Sequence, residues 1–144
     1  MDIQIVENIK ETLSVVIRCR QIDDEVNRLK THIELYDKKI HAKKDNEYYF
    51  INSSEVLYFE SVDNRTFLYT QDDVLEIKQR LYELEEILSD KDFIRISKSL
   101  IVNVNKIKSL KPEINRTILA TMCNGEYLFI SRKYVRSVRN LLSI

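Results

Sequence analysis

FIRISKSLIVNVNKIKSL, residues 93–110, is the stretch on which the fold turns. Its two flanks, FIRIS and SLIVNVNKIKSL, alternate β-branched or aromatic residues with polar ones at a period of two, the spacing of a strand with one buried face. The small polar run Ser97-Lys98-Ser99 breaks the alternation between them. Downstream, beyond Pro112 in a turn, RTILATM (116–122) and EYLFIS (126–131) repeat the pattern on either side of Asn124-Gly125. Asn-Gly in that setting predicts a hairpin, because both central residues of a type I′ turn need positive φ, and the chain's single glycine sits there. After Ser131, placed as an N-cap, RKYVRSVRNLL sets Tyr134 or Val135, Val138, Leu141 and Leu142 on the inward face of a closing helix.

The same period of two extends upstream. IELYDKKIHAK, EYYFI, EVLYFESV, RTFLYT and VLEIK, beginning at Ile33, are short β-rich runs separated by DN, NSS, VDN and QDD, which supply the residues that turns favour. A helix interrupts them in IKQRLYELEEILSD (77–90), where Ile77, Leu81, Leu84 and Leu88 recur at helical spacing and Tyr82, Glu83, Glu85 and Glu86 form the wetter face. Residues 1–32 read as a separate β-β-α unit: strands over Asp2–Ile5 and Leu13–Ile17, then a helix capped by Asp23 or Asp24 with Ile22, Val26, Leu29 and Ile33 in one stripe. The expected fold is mainly β (α+β), an antiparallel meander or sandwich with short helices over residues 33–144 behind that small N-terminal unit.

Composition is that of a globular chain: 144 residues, 44% apolar and 32% charged, enough to bury a core. No apolar run approaches the roughly 18 residues that span a bilayer, and the opening MDIQIVENIK carries an acidic residue where a signal peptide is basic. A cytoplasmic protein without membrane insertion is the expectation. Cys19 and Cys123, far apart and in no CxxC pair, are expected as reduced core residues. One glycine leaves no phosphate-cradling loop for a nucleotide cofactor. His32 and His41, nine residues apart, offer neither metal-ligand spacing nor a catalytic partner and are expected on the surface or in a sheet. Carboxylate pairs remain: Asp72-Asp73 lies in turn chemistry, and Glu60, set among aromatics in VLYFES, is expected as a structural acceptor for a backbone amide or an arginine. With no nucleophile, base and orienting group to place together, the chain is not expected to be an enzyme, nor to need a cofactor or a metal.

The net charge of zero conceals sorting along the chain: residues 1–40 carry −1, residues 41–90 carry −7 and residues 91–144 carry +8. Either the basic third presents a polyanion-binding face, or the fold interleaves the two segments into a neutral surface. The basic side chains cluster where strands break: around Arg95 to Ser99, at Lys106 and Lys108, at Lys111 and Arg116 beside Pro112, and at Ser131-Arg132-Lys133. Loops on a rigid sheet can enter a groove, serine hydroxyls and helix N-terminal amides can donate to phosphate oxygens, and Lys or Arg can reach guanine N7 and O6.

Four elements together give these residues a family likeness. They are Tyr58-Phe59-Glu60-Ser61 ending a strand, the Leu/Glu-rich helix Leu81 to Leu88, the segment Phe93-x-Arg95-x-x-x-Ser99-x-x-x-Asn103, and Ser131-Arg132 opening the last helix through Val135. The chain resembles the LytTR family of DNA-binding domains over about residues 33–144. That resemblance implies a sequence-specific, double-stranded DNA-binding transcription regulator of bacterial type, reading direct-repeat promoter sites with loops placed into successive major grooves and bending the duplex. Base contact would fall at Arg65, with Asn64 or Thr66 as alternatives in a loop of variable length, at Lys98 and at Lys133. Ser97, Ser99, Arg132 and Arg136 would hold phosphates, and Ser131 would belong to the same DNA-binding set. Two half-sites per operator would favour a homodimer on DNA. Within these residues no receiver domain precedes the DNA-binding part, so residues 1–32 are left as a regulatory or dimerisation unit, or a dock for a membrane-protein or other protein regulator. The alternative reading is a protein-interaction module that docks a regulatory partner, with DNA binding lost or secondary.

Overall fold

The computed structural model describes residues 1–10, 13–36, 39–88 and 92–144, with the backbone alone at 31, 32 and 34–36. The helix end expected at Ser89-Asp90, together with Asp37, Lys38, Lys91 and the His32 side chain, lies outside that description. The chain divides into two compact units, Met1–Tyr36 and Asp37–Ile144.

In the first unit α1 spans Asp24–Tyr36. Of the two capping candidates Asp23 serves: its Oδ1 accepts the Val26 amide at 2.9 Å. The two strands expected over Asp2–Ile5 and Leu13–Ile17 do not form, since a strand needs a neighbour to complete its backbone hydrogen bonds and neither segment has one. The helix also runs past Ile33, completing the stripe Val26, Leu29 and Ile33, so the change to strand comes after it, at Lys39.

In the second unit the strands are β1 (Lys39–Lys44), β2 (Glu47–Asn52), β3 (Tyr58–Val62), β4 (Arg65–Tyr69), β5 (Val74–Ile77), β6 (Phe93–Arg95), β7 (Leu100–Asn103), β8 (Ile107–Pro112), β9 (Ile118–Met122) and β10 (Tyr127–Ile130). Helix α2 (Leu81–Ile87) follows β5 and α3 (Arg132–Leu142) follows β10. Every pairing is antiparallel. A seven-stranded sheet runs β2-β1-β5-β4-β3-β7-β6 and a three-stranded sheet β10-β9-β8, so the meander is interrupted where β1 meets β5 and where β3 meets β7.

SLIVNVNKIKSL is not one strand. A single 3₁₀ turn at Val104–Lys106 carries the chain from β7 in the first sheet to β8 in the second. Asn103 makes that corner: buried, it donates from Nδ2 to Val56 O at 2.9 Å and accepts the Asn105 amide at 3.1 Å. Ile77 belongs to β5, not to α2. Pro112 closes β8 opposite Ile118, and the turn comes after it, with Arg116 at positive φ.

Type I′ geometry occurs where the sequence reads Asp-Asn. Asp45-Asn46 and Asp63-Asn64 both have two positive φ values and each joins its flanking strand residues through a two-residue loop. At Asn124-Gly125 only Gly125 has positive φ, its amide donates to Met122 O at 2.9 Å, and the Asn124 side chain accepts the Glu126 amide. That is a three-residue connection with one left-handed residue.

Alternation along the strands divides the interior into two clusters. Phe59, Leu68, Leu75 and Ile101 pack with Leu81, Leu84 and Leu88 of the α2 segment on one face of the large sheet. Leu57, Tyr58, Ile96 and Val102 pack with Ile118, Met122, Ile130 and Val138 between the two sheets and α3. Tyr134, Val135 and Leu142 join that second cluster, whereas Leu141 faces solvent. Both cysteines are exposed, contrary to the core expectation; Cys123 stands in the connection after β9 and Cys19 in the irregular stretch before α1.

Candidate nucleic-acid interface

The three loops expected to read DNA are joined to one another by main-chain hydrogen bonds. The Ser61 amide, just before the Asp63-Asn64 turn, donates to Ser99 O at 2.9 Å. The Ser131 amide, at the mouth of α3, donates to Ile96 O at 2.9 Å, and the Ser131 hydroxyl donates to the same carbonyl at 3.2 Å. The bend Ser97–Ser99 is thus the middle member, flanked by the β3–β4 turn and the start of α3.

That bend is held from beneath. Arg95 Nε donates to Ser97 O at 2.7 Å, its Nη2 donates to Lys98 O, and its Nη1 pairs with Glu85 of α2. The Ser97 hydroxyl accepts the Ser99 amide at 3.2 Å. With the backbone carbonyls turned inward to Arg95, the Lys98 side chain stands exposed at the crest. Arg95 and Glu85 were not among the expected site residues. The signal was the Arg two places before Ser97, whose guanidinium is long enough to reach back over its own turn.

At the third loop, Ser131 occupies the N-cap position but its hydroxyl does not cap; it is spent on Ile96 O. The first-turn amides of α3 therefore have no cap from that side chain and lie beside exposed Arg132 and Lys133. Arg136 is exposed one turn further on. Lys133 Nζ lies 5.4 Å from the centroid of the Tyr134 ring. Among the described residues no carboxylate pairs with Lys98, Arg132, Lys133 or Arg136.

The first loop is different. Arg65 opens β4 directly after the turn, and its guanidinium is engaged by Glu76 of β5, with Nε donating at 3.1 Å and Nη2 forming a second bond. It also lies 5.2 Å from the Phe67 ring centroid. The Glu76 carboxyl is held below its ordinary range by the hydrogen bond from Arg65, and Arg65 is raised in turn. Asn64 is exposed, and its carbonyl accepts Arg80 Nη1 at 2.6 Å. Thr66 is 2% exposed, opposite Ile77 on the face that carries Leu68 and Leu75, so as an alternative to Arg65 it is ruled out by burial.

Behind the loops, Tyr58 and Tyr69 stack at 4.2 Å, and their hydroxyls donate to Glu126 (2.7 Å) and Glu60 (2.8 Å). Glu60 is therefore an acceptor for a tyrosine, not for an amide or an arginine. Burial, reinforced by the Glu60 hydrogen bond, pushes the Tyr69 phenol up to about 12, and burial with the Glu126 hydrogen bond raises the Tyr58 phenol. Glu55 accepts the Asn52 amide and Asp73 pairs with Lys44, so none of these carboxylates is arranged as an acid–base pair. Among the described residues no group of His, Cys, Asp and Glu could hold a metal, and no helix is long and apolar enough to cross a membrane.

Comparison with known proteins falls on the same region. The pattern of the LytTr DNA-binding domain family matches residues 46–143. A protein of Staphylococcus aureus strain MSSA476 described as an uncharacterized HTH-type transcriptional regulator is 34% identical, covering 100% of this chain and 99% of its own. A counterpart from strain NCTC 8325 is 33% identical over the same shares. Among solved structures, the LytTr DNA-binding domain of a Bacillus cereus protein described as a methyl-accepting/DNA response regulator superposes with a TM-score of 0.71 at 32% identity, covering 75% of this chain and 99% of that one.

Proposed function

The chain belongs to the LytTr DNA-binding domain family, and from that premise we propose that it is a transcription regulator that reads double-stranded DNA with loops set into successive major grooves. The observation that carries this reading is the bonded row of three loops with, at its middle and end, cations that no carboxylate among the described residues pairs. Lys98 and Lys133 are the base-reading side chains, because Lys98 stands at the crest of a bend held by Arg95 and Lys133 in the first turn of α3, whose start is tied through Ser131 to Ile96 O. Ser97, Ser99, Arg132, Arg136 and the first-turn amides of α3 hold phosphates, where the helix dipole adds to the attraction. Arg65, with Asn64 beside it, contributes from the flanking turn.

A loop mechanism also suits the order of elements. Among the described residues no two helices follow one another through a short turn, so the helix pair that the relatives' description names has no counterpart in this sequence of elements. Two copies on repeated half-sites would extend the contact along the duplex.

Selection of bound duplexes from a random pool tests the reading. The expected outcome is an enriched motif with two half-sites, bound less tightly as salt rises because phosphate contacts release counterions. Recovery of no common motif, with binding that follows salt alone, would contradict sequence-specific reading.

A further inference from the structure

A cleft of about 280 Å³ opens between the α2 segment and α3, where the two interior clusters meet. Leu84, Leu88 and Ile101, all buried, and half-buried Phe93 form its apolar part. Arg95, Glu85, Tyr134 and Ser137 supply its polar part. The volume lies near the roughly 300 Å³ at which small-molecule pockets begin, and an apolar lining with a few convergent polar groups is their usual construction. Water gains little over the apolar part, because it needs several polar partners and the buried Leu84, Leu88 and Ile101 side chains offer none.

Two of the polar groups also serve the DNA-reading loops. Arg95 is the residue that donates to Ser97 O and Lys98 O beneath the bend. Tyr134 is the ring beside which Lys133 Nζ lies, 5.4 Å from the centroid. The cleft therefore touches neighbours of both base-reading lysines.

The ion pair at the cleft selects the charge of its ligand. Glu85 and Arg95 are unequally placed: the Glu85 side chain is 46% exposed and that of Arg95 20%. An incoming carboxylate takes the place of Glu85, which turns out to water at little cost, as exposed members of ion pairs do. An incoming cation on Glu85 leaves the more deeply set guanidinium without a counter-charge, which is costly. A carboxylate engages a guanidinium best through two parallel N–H donors. Taking Arg95 Nη1 from Glu85 together with Nη2 withdraws the latter from Lys98 O.

We propose that this cleft is an effector site for a small carboxylate with an apolar tail, which covers Leu84, Leu88 and Ile101, displaces Glu85 from Arg95 and loosens the Ser97–Ser99 bend. Occupancy weakens operator binding; that consequence rests on the loop reading above, whereas occupancy itself does not.

Octanoate is the probe, titrated into the full chain and followed by amide chemical shifts. Saturable shifts are expected around the cleft in α2, β6 and α3, with faster amide exchange at Ser97–Ser99. Octanol and octylamine, with the same tail and a neutral or cationic head, should bind roughly tenfold more weakly, the scale of one charged hydrogen-bonded contact. Ser137→Phe fills the cleft from an exposed position; it should abolish the shifts while operator affinity without octanoate stays at the wild-type value. Glu85→Gln should tighten octanoate by roughly threefold, the scale of a partly exposed ion pair. Saturating octanoate should lower operator affinity by roughly fivefold, and operator should lower octanoate affinity by the same factor, since coupling is reciprocal. Absence of saturable shifts, or shifts that survive Ser137→Phe, would overturn the site. Equal affinity for octanol or octylamine would overturn the carboxylate, and binding with unchanged exchange at Ser97–Ser99 would overturn the link to the bend. If no duplex is bound at all, the loop reading falls alone, because shifts and exchange still decide the site and its link to the bend.

Discussion

The bend at Ser97–Ser99 and the turn at Asp63-Asn64 are one backbone hydrogen bond apart, through Ser61 and Ser99, yet they present their cations in opposite ways. At the bend an arginine is used underneath: Arg95 spends its guanidinium on the loop's own carbonyls and on Glu85, leaving Lys98 on top with no described carboxylate beside it. At the turn the arginine is on top and already engaged by Glu76. A charge bound to a neighbour must exchange that neighbour for a phosphate or base, so its net gain on binding is smaller than that of a charge which meets only water. Position in a loop therefore does not fix a cation's contribution to DNA binding; the partner it leaves behind matters as much.

This contrast can be broken at the crest first. Lys98→Ala and Lys133→Ala should each weaken binding to a selected operator by about 1–3 kcal/mol, with relaxed preference at the base each one reads; anisotropy titrations against the operator and single-base variants measure both effects. Arg65→Ala should cost less than either. Equal losses at all three positions would remove the distinction between the two loops.

The next largest effect lies beneath the bend. Arg95→Met retains much of the stem but gives up bonds to two carbonyls and one carboxylate, and bonds to a charged donor contribute about 1.5–3 kcal/mol each, net of the exchange with water. The expected result is a more mobile Ser97–Ser99 in amide hydrogen exchange and weaker operator binding, although Arg95 need touch no DNA. Unchanged exchange with unchanged affinity would show that the bend holds its shape without that guanidinium.

The smallest effect is expected at Glu76. Glu76→Gln removes the carboxylate charge that engages Arg65 and raises the net charge by one unit, so non-specific affinity should rise and the slope of log affinity against log salt should steepen by up to about 0.9, the equivalent of one phosphate contact. Because Arg65 holds the Glu76 carboxyl below its ordinary range, wild type keeps the pair at neutral pH and releases Arg65 only as pH falls below that range. The difference between wild type and variant should accordingly be constant from about pH 6 to 8. A variant with the wild-type salt slope would show that Arg65 does not reach the phosphates even when freed.

Much of this architecture was legible in the sequence because alternation and turn residues are local signals. The runs that became β2, β3, β4, β5, β9 and β10 show a period of two, and Ser131 marks the start of α3 as expected. The order of the three loops was legible as well, from the motif around Phe93, Ser99 and Ser131. What brings the loops together was not, since the Ser131 hydroxyl meets Ile96 O across 35 positions and no periodicity encodes such a contact. The pairing of Arg65 with Glu76 depends on β4 lying beside β5 and was hidden for the same reason. Thr66 is a different case: RTFLYT puts Thr66 and Leu68 on one face of a strand, so its burial followed from parity alone. The N-terminal strands failed in the opposite sense, because β-prone residues form no ladder without a neighbour.

The most direct measurement replaces guanines of the selected operator one at a time by 7-deazaguanine, which removes the N7 acceptor from the major groove while preserving base pairing. Wild type should lose affinity at two positions or clusters, and the loss at one should vanish in Lys98→Ala and at the other in Lys133→Ala. Full affinity for every substituted operator, or losses that persist unchanged in both variants, would contradict reading of the major groove by these two lysines.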